Sequence, residues 1–411
     1  MATAAKRVGD GAIGLTILLS AMVLLNYVDR GALGIAAPKL KEELGLDATS
    51  FGLAVSAFAW IYAPAQFAVG WMISRVCVYR LVAIGLLVWA LATTFTGIVT
   101  GLAALVAMRV LLGIGEGVAF PSVSAIIARH VPSHRRGLAN SVVSASLAYG
   151  PALGTFAGGI ILATLGWRPI FLIFGLVTVV WLLPWLVASK PHWRSSDPVS
   201  ERATMMAVMK QPAAWIVGLG HFANTYGFYF LLAWLPLFLV STRGLSILLM
   251  TEMLTVLYLV QGTAALFVGW LSDRLSHRYD ESRVRRSLMA AGHIIGGIAI
   301  IGIGNSTTTE ALMGWLLLAG IAASPGGSQC YAIAQMYAGK RASGPFVGIM
   351  NGIGNTSGII GPILTGVLVD RFGYHPAFQV AAAISIIGGL WWWFALPRIR
   401  PLFDADASSS I

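Results

Sequence analysis

Long apolar stretches separated by short polar connectors follow one another along the whole chain of 411 residues. An apolar stretch of about 20 residues is long enough to cross a lipid bilayer as a helix. The pattern therefore predicts an all-α membrane protein with twelve transmembrane helices. In chain order these predicted spans are 13–37, 51–72, 81–98, 102–128, 138–164, 169–188, 213–240, 247–271, 287–304, 311–337, 345–369 and 376–396.

The longest polar connector divides these spans six and six. It covers residues 189–211, which predicts a first half at 1–188, a linker and a second half at 212–411. The sequence GWMISR at Gly70 returns as GWLSDR at Gly269, and GWRPIF at Gly166 returns as GYHPAF at Gly373. The two offsets, 199 and 207 residues, are nearly equal. They predict two pseudo-symmetric six-helix halves, an arrangement that places a solute site between the halves near the membrane midplane.

Composition and charge agree with a lipid-embedded chain. The mean hydropathy is +0.79, and only 10% of the residues are charged, which is too few for a soluble domain of this size. The net charge of +11 lies in short connectors, which fits anionic lipid headgroups rather than nucleic acid. With the N-terminus inside, 20 Lys and Arg fall on the cytoplasmic side and 5 outside. This bias predicts that both termini and the linker are cytoplasmic.

Two pairs of charged residues lie inside the apolar spans. Asp29 and Arg30 are in the middle of span 1, and Arg109 and Glu116 share span 4. Charge at this depth costs free energy, so it is retained where it faces a partner or a water-filled path. Arg109 and Glu116 are seven residues apart and therefore share a helix face, two turns from each other. Asp29 and Arg30 point about 100° apart and cannot serve the same neighbour.

These four residues suggest a division of labour between anion and proton binding. We expect Arg30 to bind a substrate carboxylate, because a guanidinium offers a planar fork of donors and stays charged. Asp29 and Glu116 would carry the coupled protons, with Arg109 as a charge partner whose distance alters their proton affinity. The alternative is that both pairs are static and only hold helices together.

Several motifs resemble one known family. They are NYVDR from Asn26, SAFAWIYAPAQ from Ser56, RVLLGIGEG from Arg109, NTYGFYFLLAWLP from Asn224 and NGIGNTSG from Asn351. Together with the two GW loop motifs, they resemble the anion:cation symporter family of the major facilitator superfamily. The resemblance implies the major facilitator fold and a proton-coupled carrier of galactonate, glucarate, hexuronates or other organic anions. It also implies the roles given above for the four charged residues.

Polar side chains within the spans are further candidates for substrate contact. Phenols and amides exchange hydrogen bonds with the hydroxyls of a polyhydroxy acid, and Asn351 and Asn355 share one helix face. The alternative for each is hydrogen bonding between helices. Beside Arg30, the predicted substrate-binding residues are Tyr27, Tyr62, Gln66, Asn224, Tyr229, Asn351 and Asn355.

The two GW loop motifs predict a cytoplasmic gate. It consists of Arg75 after span 2 and of Asp273 and Arg274 after span 8. Ser74 stands where the family usually has an aspartate, so the first loop cannot supply the carboxylate that Asp273 supplies in the second.

We therefore predict a proton-coupled symporter that imports a small organic anion by alternating access. A sugar acid of the aldonate or hexuronate type is the expected substrate; the alternative is an exporter or antiporter of drugs or other organic anions. An enzyme is not expected, because the sequence has no phosphate-binding loop, His/Cys metal cluster or G-x-S-x-G element. We expect a monomer in the inner membrane with anion, protons and lipid as partners, and no cofactor, metal or nucleic acid.

Overall fold

The computed structural model describes residues 2–72, 76–131, 136–190, 205–397 and 399–403. Its elements are helices joined by short turns. In order they are α1 (Ala2–Leu44), α2 (Ala48–Met72), α3 (Val78–Thr96), α4 (Leu102–Gly117), α5 (Ala119–His130), α6 (Arg136–Leu165), α7 (Arg168–Ser189), α8 (Met205–Met209), α9 (Pro212–Leu237) with a π-helical extension (Phe238–Thr242), α10 (Ile247–Ser276), α11 (Glu281–Asn305), α12 (Thr309–Asn355), α13 (Ser357–Phe372) and α14 (Tyr374–Phe394).

Twelve segments of the described chain are long and apolar enough to cross a membrane, which confirms the predicted number. The first extends to Leu44 rather than residue 37, so Lys39 and Lys41 lie on its last turns. Span 4 consists of α4 and α5, which meet at Val118. Spans 10 and 11 are joined through Gly339, whose φ of 60° breaks the helix at a position that favours glycine.

The predicted repeat has a structural counterpart at two connectors. Gly166 and Gly373, the first residues of the second pair of echoes, both have positive φ, 87° and 77°. Each residue ends one span and starts the next, and the Pro three positions later lies in the first turn of that next helix, where it costs no hydrogen bond. Of the other echo, residues 73–75 of the first copy lie outside the described residues.

Helices of the two halves meet mainly along four pairs. α1 packs on α9, α6 on α10, and α2 on both α13 and α12, while α3, α7, α11 and α14 contact mainly their own half. Large apolar side chains such as Ile84, Leu183 and Phe394 are exposed on the outside of the bundle. Such a surface suits a surrounding solvent of lipid, and the protein is a multi-pass membrane protein.

The two ends of the bundle are packed differently. We call the end that holds residues 45–47, 166–167, 243–246 and 373 the distal end, and the opposite end, which holds residues 76–77, 210–211 and 277–280, the proximal end. At the distal end one core joins both halves, with Phe51 of α2 edge-on to Trp234 of α9 at 5.5 Å. At the proximal end each half has a core of its own, around Trp185 in the first and Phe346 in the second.

Glycines allow the close contact at the distal end. A Cβ added at Gly34 would lie 2.1 Å from the backbone oxygen of Leu232, and one at Gly52 would lie 2.3 Å from that of Pro362. Both contacts join one half to the other. The backbones of the two halves therefore touch here, which any larger residue would prevent.

Candidate functional site

Arg30 and Glu116 form a buried ion pair near the middle of the bundle. Arg30 Nε donates to Glu116 Oε2 at 3.1 Å, and the two side chains are 7% and 0% exposed. α1 supplies the arginine and α4 the glutamate, so the pair joins two helices of the first half. One guanidinium nitrogen of Arg30 (Nη2) and Glu116 Oε1 are buried and have no partner among the described residues. The pair therefore keeps free hydrogen-bonding capacity on both members.

Aromatic rings surround the guanidinium of Arg30. Its Cζ lies 4.9 Å from the ring centre of Tyr27, 5.2 Å from that of Phe58 and 4.6 Å from that of Tyr62. Ring faces attract cations, and they do so more strongly when water is excluded. The rings therefore help to fix the position of the guanidinium.

Arg109 makes no direct ion pair with Glu116, although each charge acts on the other across the space between them. Two helical turns correspond to about 11 Å along the axis, so the two groups share a face but stay apart. Arg109 instead lies over the Phe58 ring at 5.1 Å, with its buried Nε unpartnered among the described residues. The close ion partner of Glu116 is Arg30, which the sequence could not reveal because the contact joins two helices.

Asp29 is held away from Arg30, as expected from their different directions. Its Oδ2 accepts from Trp89 Nε1 at 2.6 Å and from Thr93 Oγ1 at 3.2 Å, both on α3. The residue is 4% exposed. Adjacent residues of α1 therefore reach two different helices, α3 and α4.

The second half contributes neutral polar groups. Tyr229 on α9 donates to Asn355 Oδ1 at 2.9 Å, and Asn355 Nδ2 donates to the backbone oxygen of Asn351 at 2.9 Å. Tyr331 donates to Asn351 Oδ1 at 3.0 Å. This chain of hydrogen bonds connects α9 with α12. Asn224, also on α9, packs with its side chain against Gly326 of α12.

A small cavity of about 20 Å³ lies between the charged residues of the first half and Tyr229 of the second. A space of this size holds about one water molecule. Both halves line it: the lining residues are Arg30, Leu33, Gly34, Val55, Phe58, Arg109, Leu112, Glu116, Tyr229, Leu232 and Ala233. Tyr62 and Gln66 lie on α2, one helical turn apart and both buried. A space for one water molecule is too small for an organic acid in this arrangement of the halves.

The predicted gate residues have partners within the second half. Asp273 Oδ1 lies 3.5 Å from Arg285 Nη2 of α11, and the guanidinium of Arg274 lies over the ring of Trp270 at 5.5 Å. Arg75 and Ser74 lie outside the described residues. A contact between the two gate loops therefore stays a prediction.

Sequence reasoning missed several residues of the site. Phe58, Trp89 and Thr93 contact the charged residues, and Tyr331 completes the amide chain. Asn26 is fully buried on α1, with its side-chain amide next to the carboxylate of Glu116. Trp89 and Thr93 could have been recognised in the sequence, because two hydrogen-bond donors four residues apart share a face of an apolar span.

Twelve spans in two halves, with buried charges where the halves meet, define a membrane transporter by their geometry. A sequence profile of the Major Facilitator Superfamily matches residues 19–280 and 253–409. The chain belongs to the Major Facilitator Superfamily, which confirms the resemblance read from its motifs. It is accordingly a transporter and not an enzyme.

Relatives and solved structures of similar length match nearly the whole chain. The D-galactonate transporter of Escherichia coli O6:H1 is 27% identical and covers 91% of this chain and 93% of its own. The hexuronate transporter of Bacillus subtilis is 26% identical, covering 94% of each. A probable sulfoacetate transporter of Cupriavidus necator is 28% identical, covering 94% and 93%.

The fold has a counterpart among solved structures. A bacterial homologue of the human lysosomal transporter Spinster, in an inward-facing and unoccupied conformation, superimposes with a TM-score of 0.79. The identity is 18%, and the match covers 94% of this chain and 97% of that one. At this identity the likeness concerns the fold alone, and it confirms the predicted two-half architecture.

Proposed function

We propose that the chain is a proton-coupled symporter that imports a small organic anion, with a sugar acid of the aldonate or hexuronate type as substrate. The relatives named above carry galactonate, hexuronate and, as a probable activity, sulfoacetate, all of which are small organic anions. Arg30, a buried arginine where the halves meet, can bind the negatively charged group that such anions have in common. The single observation that carries the proposal is the Arg30–Glu116 ion pair.

The pair supports coupling because substrate and glutamate compete for one guanidinium. While Glu116 is ionised it occupies Arg30, and a second carboxylate in the same low-dielectric site would be repelled. Addition of a proton to Glu116 removes its charge and frees Arg30 to bind the carboxylate of the substrate. Loss of that proton on the other side restores the pair and expels the anion.

Asp29 is proposed as a second proton acceptor, since it is buried and makes no ion pair with Arg30. Arg109 acts on both carboxylates through its field rather than through contact. Net transport then moves the anion and its protons together, and the positive charge of the protons offsets the negative charge of the anion.

The neutral groups are proposed to bind the rest of the substrate. Tyr27, Tyr62 and Gln66 contribute from the first half, and Asn224, Tyr229, Asn351 and Asn355 from the second. Phenols and amides both donate and accept, which suits the hydroxyl groups of a sugar acid. In the closed arrangement Tyr229 and Asn355 bond to each other, so substrate hydroxyls would replace that bond.

The halves are proposed to rock as units, 1–188 against 212–411, with 189–211 as the cytoplasmic linker. Part of that linker, residues 191–204, lies outside the described residues. The positive-inside bias supports cytoplasmic termini in an inner membrane, which makes the proximal end cytoplasmic. Arg75, Asp273 and Arg274 are proposed as the residues of a gate on the cytoplasmic side, and a monomer in lipid suffices for this mechanism.

The test is uptake into proteoliposomes that contain the purified protein. Radiolabelled aldonates, uronates, aldarates and aromatic acids are offered with and without an inward proton gradient. Accumulation of one acid above its external concentration, lost when the gradient is collapsed by an ionophore, is the expected result. Gradient-independent equilibration of every acid, or expulsion of amphiphiles instead, contradicts the proposal.

A further inference from the structure

Two donors on α3 converge on a single oxygen of Asp29. Trp89 Nε1 and Thr93 Oγ1 both donate to Oδ2, at 2.6 and 3.2 Å, and no described residue donates to Oδ1. Trp89 is 1% exposed and Thr93 is 3% exposed, so water does not replace either donor. One oxygen is therefore fixed by the protein and the other is left to take a proton.

The position of these donors is set by close packing of α3 on α4. A Cβ added at Gly115, next to Glu116, would lie 2.6 Å from the backbone nitrogen of Trp89. One added at Gly85 would lie 2.9 Å from the backbone oxygen of Gly115. α3 is thus held against the helix that carries Glu116 and Arg109, and both donors keep a constant distance from those charges.

Few other charges act on Asp29. Glu116 repels its ionised form and Arg109 attracts it, both from α4, and Arg30 is its neighbour on α1. Of the other helices that pack on α1, α6 carries no charged residue after Arg136, α7 none after Arg168, α9 only the titratable His221, and α5 only Arg129 and His130 at its last two positions. The two neutral donors are consequently a large part of what stabilises the carboxylate.

We propose that Trp89 and Thr93 are positioning residues that set the pH at which Asp29 gains and loses its proton. This inference rests on the proposed role of Asp29 in proton coupling. Hydrogen bonds favour the ionised carboxylate and make it release its proton more readily. Without them Asp29 would release its proton less readily, which would slow the step of the cycle that returns the proton.

The experiment is an infrared pH titration of the purified full-length protein in lipid, which needs no substrate. The carboxyl band that is absent in Asp29→Asn belongs to Asp29, and its midpoint pH is measured in Thr93→Val and Trp89→Phe. We expect a shift of about one pH unit or more to higher pH in each, since a hydrogen bond to a charged group is worth about that much. Thr93→Ser should restore the midpoint.

The matched control is Thr96→Val. Thr96 is also on α3 and equally buried, but its hydroxyl donates to the backbone oxygen of Ala92 rather than to Asp29. A general loosening of α3 would move the midpoint in this variant too, whereas the proposal expects no change. If Trp89→Phe does not fold, Thr93→Val alone carries the test, because it is nearly isosteric.

The results separate this inference from the proposed function. Midpoints that move by less than about a third of a pH unit in both variants overturn the role of the two donors. Shifted midpoints together with proton-driven accumulation that survives in Asp29→Asn leave the donors' role intact but remove Asp29 from coupling. If no carboxyl band disappears in Asp29→Asn at any pH, Asp29 does not titrate and this inference is wrong, while coupling through Glu116 is still tested by uptake.

Discussion

The two halves supply opposite kinds of chemistry to the same central place. The first half contributes every charged group of the candidate site: Asp29, Arg30, Arg109 and Glu116. The second half contributes phenols and amides, exemplified by Tyr229 and Asn355. In the proposed mechanism, the charged half would supply anion binding and coupling, and the neutral half would discriminate between anions.

The energetics of the two sides differ in the same sense. Breaking a buried ion pair by removing one partner costs several kcal/mol, because the remaining charge is left in a low-dielectric site. Removing one neutral hydrogen bond costs about 1 kcal/mol. Substitutions in the first half should therefore change whether transport occurs, and substitutions in the second half should change which anion is carried.

The largest effect is expected at Arg30. Arg30→Ala should lower uptake by about 100-fold or more, since it removes the anion-binding group and leaves Glu116 buried without its partner. Arg30→Lys keeps the charge but loses the planar fork, so it should recover only a small part of the activity. Initial rates in proteoliposomes measure both. Recovery to near wild-type rates with lysine would mean that charge alone suffices.

Glu116→Gln should separate exchange from accumulation. The neutral amide resembles the protonated glutamate, so the variant should still exchange internal for external anion. It should lose about 10-fold or more of gradient-driven accumulation, because the competition for Arg30 no longer depends on a proton. Counterflow and net uptake are measured side by side over pH 5 to 8. Accumulation that persists along a pH gradient removes Glu116 from coupling.

A smaller change is expected for the neutral side of the site. Tyr229→Phe and Asn355→Ala should each raise KM by about 5- to 10-fold with little change in the maximal rate, in line with one lost hydrogen bond. Tyr258→Phe is the control, since Tyr258 is buried in α10 away from the cavity. Equal effects of all three variants on KM would show that these positions act through packing rather than substrate contact.

The smallest effect concerns the closed distal end. Asp370 of α13 accepts from the backbone nitrogens of Ala48 and Thr49 at 2.9 and 2.7 Å, so a carboxylate of the second half caps a helix of the first. A carboxylate at a helix N-terminus is worth about 1 kcal/mol. Asp370→Asn should therefore shift the population toward a distally open state by about fivefold.

Spin labels at residues 46 and 372 would report that shift as a change in their distance distribution. Asp47→Asn is the matched control, because Asp47 caps the same helix through Ser50 but belongs to the first half. It should weaken α2 without opening the distal end. Identical distance distributions for both variants and the wild type would contradict a latch at Asp370.

Much of the fold could be predicted from the sequence because its main signal is one-dimensional. The length of each apolar stretch determines a span, and the number of twelve was confirmed within the described chain. The ends of spans were less certain. α1 runs on to Leu44 because its last turns pack and pair at the distal end, as when Glu43 accepts from Trp167 at 2.6 Å. Contacts of that kind are invisible in hydropathy.

For the site, the sequence identified the residues by their type but not their pairing. Charged groups in apolar spans are conspicuous, and Asp29, Arg30, Arg109 and Glu116 were all predicted. Their partners belong to other helices: Glu116 meets Arg30 rather than Arg109, and Asp29 meets Trp89. Helical spacing predicts which residues share a face, but it does not say which face of another helix lies opposite.

By itself the sequence determined that this chain is a twelve-span membrane protein in two halves with ionisable groups at bilayer depth. Hydrophobicity and charge act locally along the chain, so their pattern needs no coordinates to be recognised. Only the tertiary structure decided that Arg30 pairs with Glu116 in the first half and that the second half offers a chain of amides and phenols. The same is true of the single core that closes the distal end. Those features depend on distances between helices far apart in sequence, which follow from packing.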